Sequence, residues 1–180
     1  HEGDKRARRR EIDALEAGIR AITDGTPPNG GFDWAIDFAE VFPGGFDVVV
    51  ANPPYVRMEL FKEIKPLLRR NFSQVHSDRA DLYVYFYARA LELLGAGGML
   101  AFISPNKWFR AGYGANLRSY VAANSSIKSI TDFGELPVFA TAATFPMIFI
   151  TQRSAAAHAP HFTQVKSLEE PYPDVRLLIN

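Results

Sequence analysis

An α/β three-layer sandwich is the fold this sequence predicts, and three observations carry the prediction. Phe46–Ala51 (FDVVVA) is a nearly unbroken β-branched apolar run, the pattern of a strand buried in a parallel sheet. From Phe32 onward, short strand-like and helix-like segments alternate, the order that builds strand–helix–strand units. The 180 residues are 47% hydrophobic and 22% charged, enough apolar material for one domain with a real core.

The elements follow in order. Residues 4–23 predict a helix, because Ile12, Leu15, Ile19 and Ile22 recur at three- and four-residue steps. Its basic head (Lys5, Arg6, Arg8, Arg9, Arg10) reads as a solvated helix start or as a phosphate contact. Residues 24–31 are a Gly/Pro/Asn breaker cluster, hence a linker. Pro53 and Pro54 end the 46–51 strand abruptly. Glu59–Arg70 predicts a helix with Leu60, Ile64, Leu67 and Leu68 inward, and Pro66 predicts a kink or split within it. Arg79–Leu94 predicts a helix capped by Asp78, with Asp81 in its first turn. It is apolar almost all round, so it belongs between layers. Gly95, Gly97 and Gly98 stop it, and Met99–Ile103 is the next strand. Residues 113–123 predict a helix with Leu117, Tyr120 and Val121 on one face. Ile127–Phe133 and Pro146–Thr151 read as strands of a hairpin-like pair, Ser154–Pro160 as a loop, and 161–180 carries no assignable element. The expected organisation is a helix and linker over 1–31, a core domain over 32–153, and a loop and tail over 154–180.

Composition excludes several chemistries. Cysteine is absent, so there is no disulfide, no thiolate zinc site and no cysteine nucleophile. Zinc base deaminases, which need a cysteine-bearing site, are excluded with it. The four histidines (His1, His76, His158, His161) show no metal spacing, and the expected metal is none. Lys+Arg and Asp+Glu both number 20, so any nucleic-acid surface must be local. The window 57–79 is one such place, with six basic and three acidic residues. No apolar run approaches a membrane span and no secretory signal is visible, so the expected location is the cytoplasm with no membrane partner.

Asn52-Pro53-Pro54-Tyr55 follows FDVVVA with no spacer, and in α/β sheets ligands sit beyond the carboxyl ends of strands. The two prolines fix two φ angles and remove two N–H donors, while their carbonyls remain as stiff acceptors. Asn52 adds a side-chain carbonyl and an amide donor, and Tyr55 a flat ring. The turn therefore offers acceptors to an amino group and a face to a planar base. Its plain reading is strand punctuation. Asp132-Phe133-Gly134 spells a kinase tripeptide without the rest of a kinase site, and the 95–98 glycines follow a helix instead of opening one.

The run DVVVANPPY resembles the catalytic turn of amino-methyltransferases that use S-adenosylmethionine. The likeness extends through Phe32-Asp33-Trp34, Ile36-Asp37-Phe38, Ala80-Asp81-Leu82-Tyr83-Val84-Tyr85-Phe86 and Ser104-Pro105-Asn106-Lys107-Trp108 to Asp132–Phe139. That ordered set resembles the N6-adenine-specific DNA methyltransferases of restriction–modification systems, type IIG-like, over about residues 32–150. The resemblance implies part of a class I, Rossmann-like S-adenosylmethionine-dependent methyltransferase domain. It implies Asn52, Pro53, Pro54 and Tyr55 as the catalytic turn, with the Asn52 side chain and the Pro53 carbonyl accepting from the adenine amine. The target adenine would be flipped out of double-stranded DNA, with Tyr55 stacking on it and Phe139 as a second aromatic. Asp37 and Phe86 would hold the adenine side of the cofactor. Lys107, Trp108 and Arg57 would touch the DNA strand.

In the same family the cofactor's methionine end rests on an upstream glycine-rich strand–loop–helix, and a recognition domain follows the catalytic domain. Neither is visible within residues 1–180, so the cofactor site is expected to be incomplete in this chain and the chain inactive by itself. Two rival readings keep the fold but change the function. One is a non-catalytic DNA-binding or scaffold domain; the other is an enzyme using the same turn on RNA or on a protein glutamine.

Overall fold

The computed structural model describes residues 33–139, 145–156 and 158–169. The expected 4–23 helix with its basic head, the 24–31 linker and the last residues of the tail lie outside them. The chain divides into two compact units, His1–Pro43 and Gly44–Asn180.

In the first unit, helix α1 spans Trp34–Asp37. An Asp33 carboxylate oxygen accepts from the Ala35 amide at 2.9 Å, and the Asp33 amide donates to Asp37 Oδ2 at 2.9 Å. This reciprocal capping closes a helical turn. Asp37 therefore stands at the end of a helical turn. Trp34 and Phe38 stack at 5.8 Å, one turn apart.

The second unit contains β1 (Phe46–Ala51), a 3-10 segment (Met58–Ile64), α2 (Lys65–Asn71), α3 (Tyr83–Leu93) and β2 (Leu94–Pro105). Two short 3-10 turns, Asn106–Phe109 and Gly112–Gly114, lead into α4 (Ala115–Asn124), followed by β3 (Ser126–Asp132), β4 (Pro146–Gln152) and β5 (His161–Gln164). The five strands form one mixed sheet in the order β1-β2-β4-β3-β5. β1 and β2 are parallel, β4 is antiparallel to both β2 and β3, and β3 and β5 are parallel. The expected pairing of the 127–133 and 146–151 strands is present as β3–β4. β5 was not legible: it is four residues long and mostly exposed.

The helices share one core with one face of the sheet. From α3 come Tyr83, Val84, Tyr87, Ala88 and Leu91, and from α4 Leu117 and Val121. The sheet supplies Leu100, Phe102, Met147 and Phe149. Along β2 and β4 the burial alternates residue by residue, as a pleated strand requires. On the other face Val48 and Val50 of β1 are 57% and 73% exposed, beside half-buried Ala101 and Ile103. The sheet is thus apolar on both sides, as a sandwich sheet must be. Among the described residues of this unit, helices cover one of them.

The split that Pro66 predicts is present, while the inward face of that segment and the start of the next helix change. The 59–70 segment is split: Phe61 has non-helical φ/ψ, and α2 begins at Lys65 with Pro66 in its first turn, where a missing N–H costs nothing. The split turns three of the four expected inward residues outward and leaves Leu68 packed on the core. Leu60, Ile64 and Leu67 are 78%, 44% and 56% exposed, and Phe61 is the side chain that enters the core. Helix α3 begins at Tyr83 instead of Arg79, with no side-chain cap. Asp78 faces solvent and contacts His76, while Asp81 hydrogen-bonds elsewhere.

At their amino ends β1 and β2 touch backbone to backbone. Gly45 has φ +85°, and a Cβ there would lie 2.6 Å from the Gly95 nitrogen. A Cβ on Gly98 would lie 2.8 Å from the Phe46 carbonyl oxygen. Only glycine permits that approach.

Candidate active site

β1 and β2 are parallel and in register, Ala51 opposite Phe102, so their carboxyl ends open on the same side of the sheet. The 52–55 turn leaves from there. Asn52 is exposed, and its side chain makes no hydrogen bond among the described residues. Pro53 is buried, Pro54 exposed and Tyr55 half-buried. The Tyr55 hydroxyl donates to the Ile103 carbonyl at 3.3 Å, which pins the turn to β2.

The structure brings Tyr55 and Phe139 together, edge to face, with ring centroids 6.2 Å apart. Phe139 reaches this place through the β3 exit. There Asp132 Oδ1 accepts from the Asn106 side-chain amide at 2.8 Å and from the Gly134 amide at 3.0 Å. Gly134, at φ +54°, turns the chain. The Asp-Phe-Gly string is thus an Asx-type turn between two loops of the site. Residue 139 is half-buried and presents part of its ring.

Past the turn, the chain lines two adjoining clefts. One, of about 570 Å³, is bordered by Tyr55, Arg57, Asp81, Tyr83, Lys107 and Phe145. The other, of about 670 Å³, shares Arg57, Asp81 and Lys107 and adds Arg79, Ser77 and Tyr113. Arg57 and Lys107 are exposed and face both clefts. The Tyr83 and Tyr113 hydroxyls hydrogen-bond each other at 2.7 Å.

Burial sets the electrostatics here. It raises the Tyr55, Tyr83 and Tyr113 hydroxyls above the usual phenol range, so all three stay neutral near pH 7. Burial also raises the Asp81 carboxyl, with Glu59 adding to the effect. The Met58 amide and the Lys107 and Arg57 charges oppose it. Among the described residues no group of His, Asp and Glu could hold a metal ion. The walls supply cationic donors, a carboxylate acceptor and flat rings.

Of the other residues singled out by sequence, Phe86 is 40% exposed on a helix whose neighbouring positions are buried, so it is not plain core. Asp37 is exposed and belongs to the first unit. Trp108 requires a correction. It is 1% exposed and packs on Phe109, Tyr87 and Phe149 at centroid distances of 4.3, 5.2 and 5.7 Å, so it cannot touch a DNA strand. The 3-10 turn at 106–109 sends Lys107 outward and its neighbour inward. The sequence reading missed the site positions of Asp81, Tyr83 and Tyr113; an acid just ahead of an aromatic helix was the one available signal.

The profile of the Eco57I restriction-modification methylase family matches residues 4–139. The chain belongs to that family. As an Eco57I-family methylase chain it is 42% identical over 125 residues to the Type II methyltransferase M.PaeR7I of Pseudomonas aeruginosa, covering 65% of this chain and 21% of that protein. It is 38% identical over 112 residues to M.XhoI of Xanthomonas vasicola, covering 62% of this chain and 20% of that one. The chain thus spans about a fifth of the length of these relatives. In fold, this Eco57I-family chain is similar to the Type IIL restriction-modification enzyme MmeI solved with DNA, at TM-score 0.60 and 19% identity over 78% of this chain and 19% of that one. It is also similar to a Listeria monocytogenes structure assigned to class I S-adenosylmethionine-dependent methyltransferases. There the TM-score is 0.55 at 19% identity, over 72% of this chain and 40% of that one. The fold is accordingly that of the class I methyltransferases, as the sequence predicted.

Proposed function

We propose that residues 44–180 carry the catalytic turn of a DNA methyltransferase that moves a methyl group from S-adenosylmethionine to the N6 amine of an adenine flipped from duplex DNA. The observation that carries this reading is the corner made by Tyr55 and Phe139 beside the unengaged side chain of Asn52. A planar base resting on the Tyr55 ring brings its exocyclic amine to the acceptors of Asn52 and Pro53. That amine is a poor nucleophile because its lone pair is delocalised into the ring. Two acceptors pulling on its hydrogens favour the pyramidal, reactive form, and no strong base is needed. The neutral tyrosines suit a site that works by positioning.

S-adenosylmethionine, when bound, supplies the activated methyl. The exposed ring of Phe86 fits the adenine face of that cofactor. Arg57 and Lys107 would contact backbone phosphates along the cleft. The M.PaeR7I and M.XhoI names and the restriction-modification methylase family support methyl transfer in the polypeptide that contains these residues.

The deciding experiment incubates that polypeptide with methyl-labelled S-adenosylmethionine and duplex DNA and identifies the labelled nucleoside. N6-methyladenine is the expected product; N4-methylcytosine, or label in protein, overturns the reading. Tyr55→Ala and Phe139→Ala should each weaken binding of DNA carrying an extrahelical 2-aminopurine. Loss of one stacking partner costs about 1–3 kcal/mol. A loss at Tyr55 alone would leave Phe139 a packing residue.

A further inference from the structure

We propose that Asp81 is a positioning residue that clamps the exit of the 52–55 turn through its hydrogen bond to the Met58 amide. The inference rests on the methyltransferase reading only for its activity readout.

The segment after Tyr55 has no regular structure until Met58. It is held by two bonds to the chain just ahead of α3. The Leu82 amide donates to the Val56 carbonyl at 3.0 Å, and the Met58 amide donates to Asp81 Oδ1 at 3.3 Å. The anchor for both is rigid. Ala80 and Tyr83, on either side of the 81–82 pair, are 0% and 1% exposed, and the Asp81 carbonyl accepts from the Val84 amide as the helix begins. The Tyr55 hydroxyl fixes the start of the segment to β2, so Asp81 and Leu82 fix its end to α3. Between these fixed points stand Tyr55 itself and Arg57, one on each side of Val56. A loose end would let the Tyr55 ring tilt.

The carboxylate sits where it costs stability. Burial disfavours its ionised form, and exposed Glu59 adds repulsion, against partial relief from Lys107 and Arg57. The Tyr83 and Tyr113 hydroxyls also face it. A group whose folded-state pKa is raised lowers stability as pH climbs through that value. Replacing it by a neutral amide should therefore not lower the melting temperature at pH 7, and any gain should shrink toward acid pH. A side chain kept at such a cost, bonded to a site loop, is better explained by function than by folding.

Two substitutions in the full polypeptide test the clamp. Asp81→Ala removes the acceptor; Asp81→Asn keeps an acceptor and removes the charge. With Asp81→Ala, hydrogen exchange of the Met58 amide should accelerate at least about tenfold. Turnover should fall by on the order of 10²-fold, the scale of an ångström-sized misplacement. KM for DNA should stay within about threefold and the melting temperature should hold, because the loss lies in aligning the bound base. Asp81→Asn should restore slow exchange and most of the turnover. Unchanged exchange in Asp81→Ala overturns the clamp. So does an Asp81→Asn variant as inactive as Asp81→Ala, since the charge itself would then be what matters. If the parent protein transfers no methyl group, the functional reading fails instead, and exchange at Met58 still decides the clamp.

Discussion

Asn52→Ala should lower methyl transfer by about 10²–10³-fold, the usual effect of deleting one preorganised polar group at a reacting centre. The argument is geometric. Asn52 follows the last residue of β1 directly, so its backbone is held by a strand paired with β2 over its length. Its side chain is exposed and makes no hydrogen bond among the described residues, so its removal breaks none there. Stability should accordingly stay within about 0.5 kcal/mol of the parent. DNA binding should persist as well, because Tyr55, Phe139 and the cleft cations are untouched. Initial rates with labelled cofactor and a urea titration measure the two halves. Near-parental rates would remove Asn52 from the chemistry, and a large drop in stability would make it a structural residue.

Trp108→Ala should destabilise the protein by about 3–5 kcal/mol, the cost of emptying a large buried aromatic site. For a chain of this size that lowers the melting temperature by roughly 6–20 °C. Trp108 is wedged among Tyr87, Phe109 and Phe149, and its main-chain carbonyl is pinned as well. Arg118 Nη1 donates to the Trp108 carbonyl at 2.6 Å and to the Ala111 carbonyl at 3.1 Å. A Cβ on Gly114 would fall 1.9 Å from that Trp108 carbonyl oxygen. A site so enclosed cannot collapse around a cavity, which places the expected cost at the upper end of the range. Loss of DNA affinity in this variant should follow the loss of fold, through the adjacent Lys107. A shift below about 1 kcal/mol would take Trp108 out of the core.

What could be read in the sequence depended on how local the signal was. β1 and its turn were legible because three valines and two prolines act within six residues of one another. The burial of α3 was legible because no helical face of it is polar for long. Its start was not, because Asp81 hydrogen-bonds to Met58, 23 residues earlier, and periodicity holds no record of that. Leu60, Ile64 and Leu67 show the opposite failure: their spacing is helical, but the non-helical Phe61 turns the register and faces them outward. Phe139 was placed by its position in a motif, while the Asx turn at Asp132 that delivers it appears only in three dimensions. Trp108 was misread because a 3-10 turn reverses inside and outside between adjacent residues, so Lys107 faces out and Trp108 in.

The glycine contact at the amino ends of β1 and β2 gives the molecule a polarity in what it can become. At Gly45, Gly95 and Gly98 any larger residue meets main-chain atoms, which no rotamer change can relieve. That end of the sheet is closed to innovation. At the opposite end, Arg57, Glu59, Ser77, Arg79, Lys107 and Gly112 border open clefts, where substitutions have room. Variation that survives folding is therefore funnelled to the rim where the base and the strand would be met. New substrate preferences can be sampled there one side chain at a time, while the glycine seam keeps the scaffold unchanged beneath them.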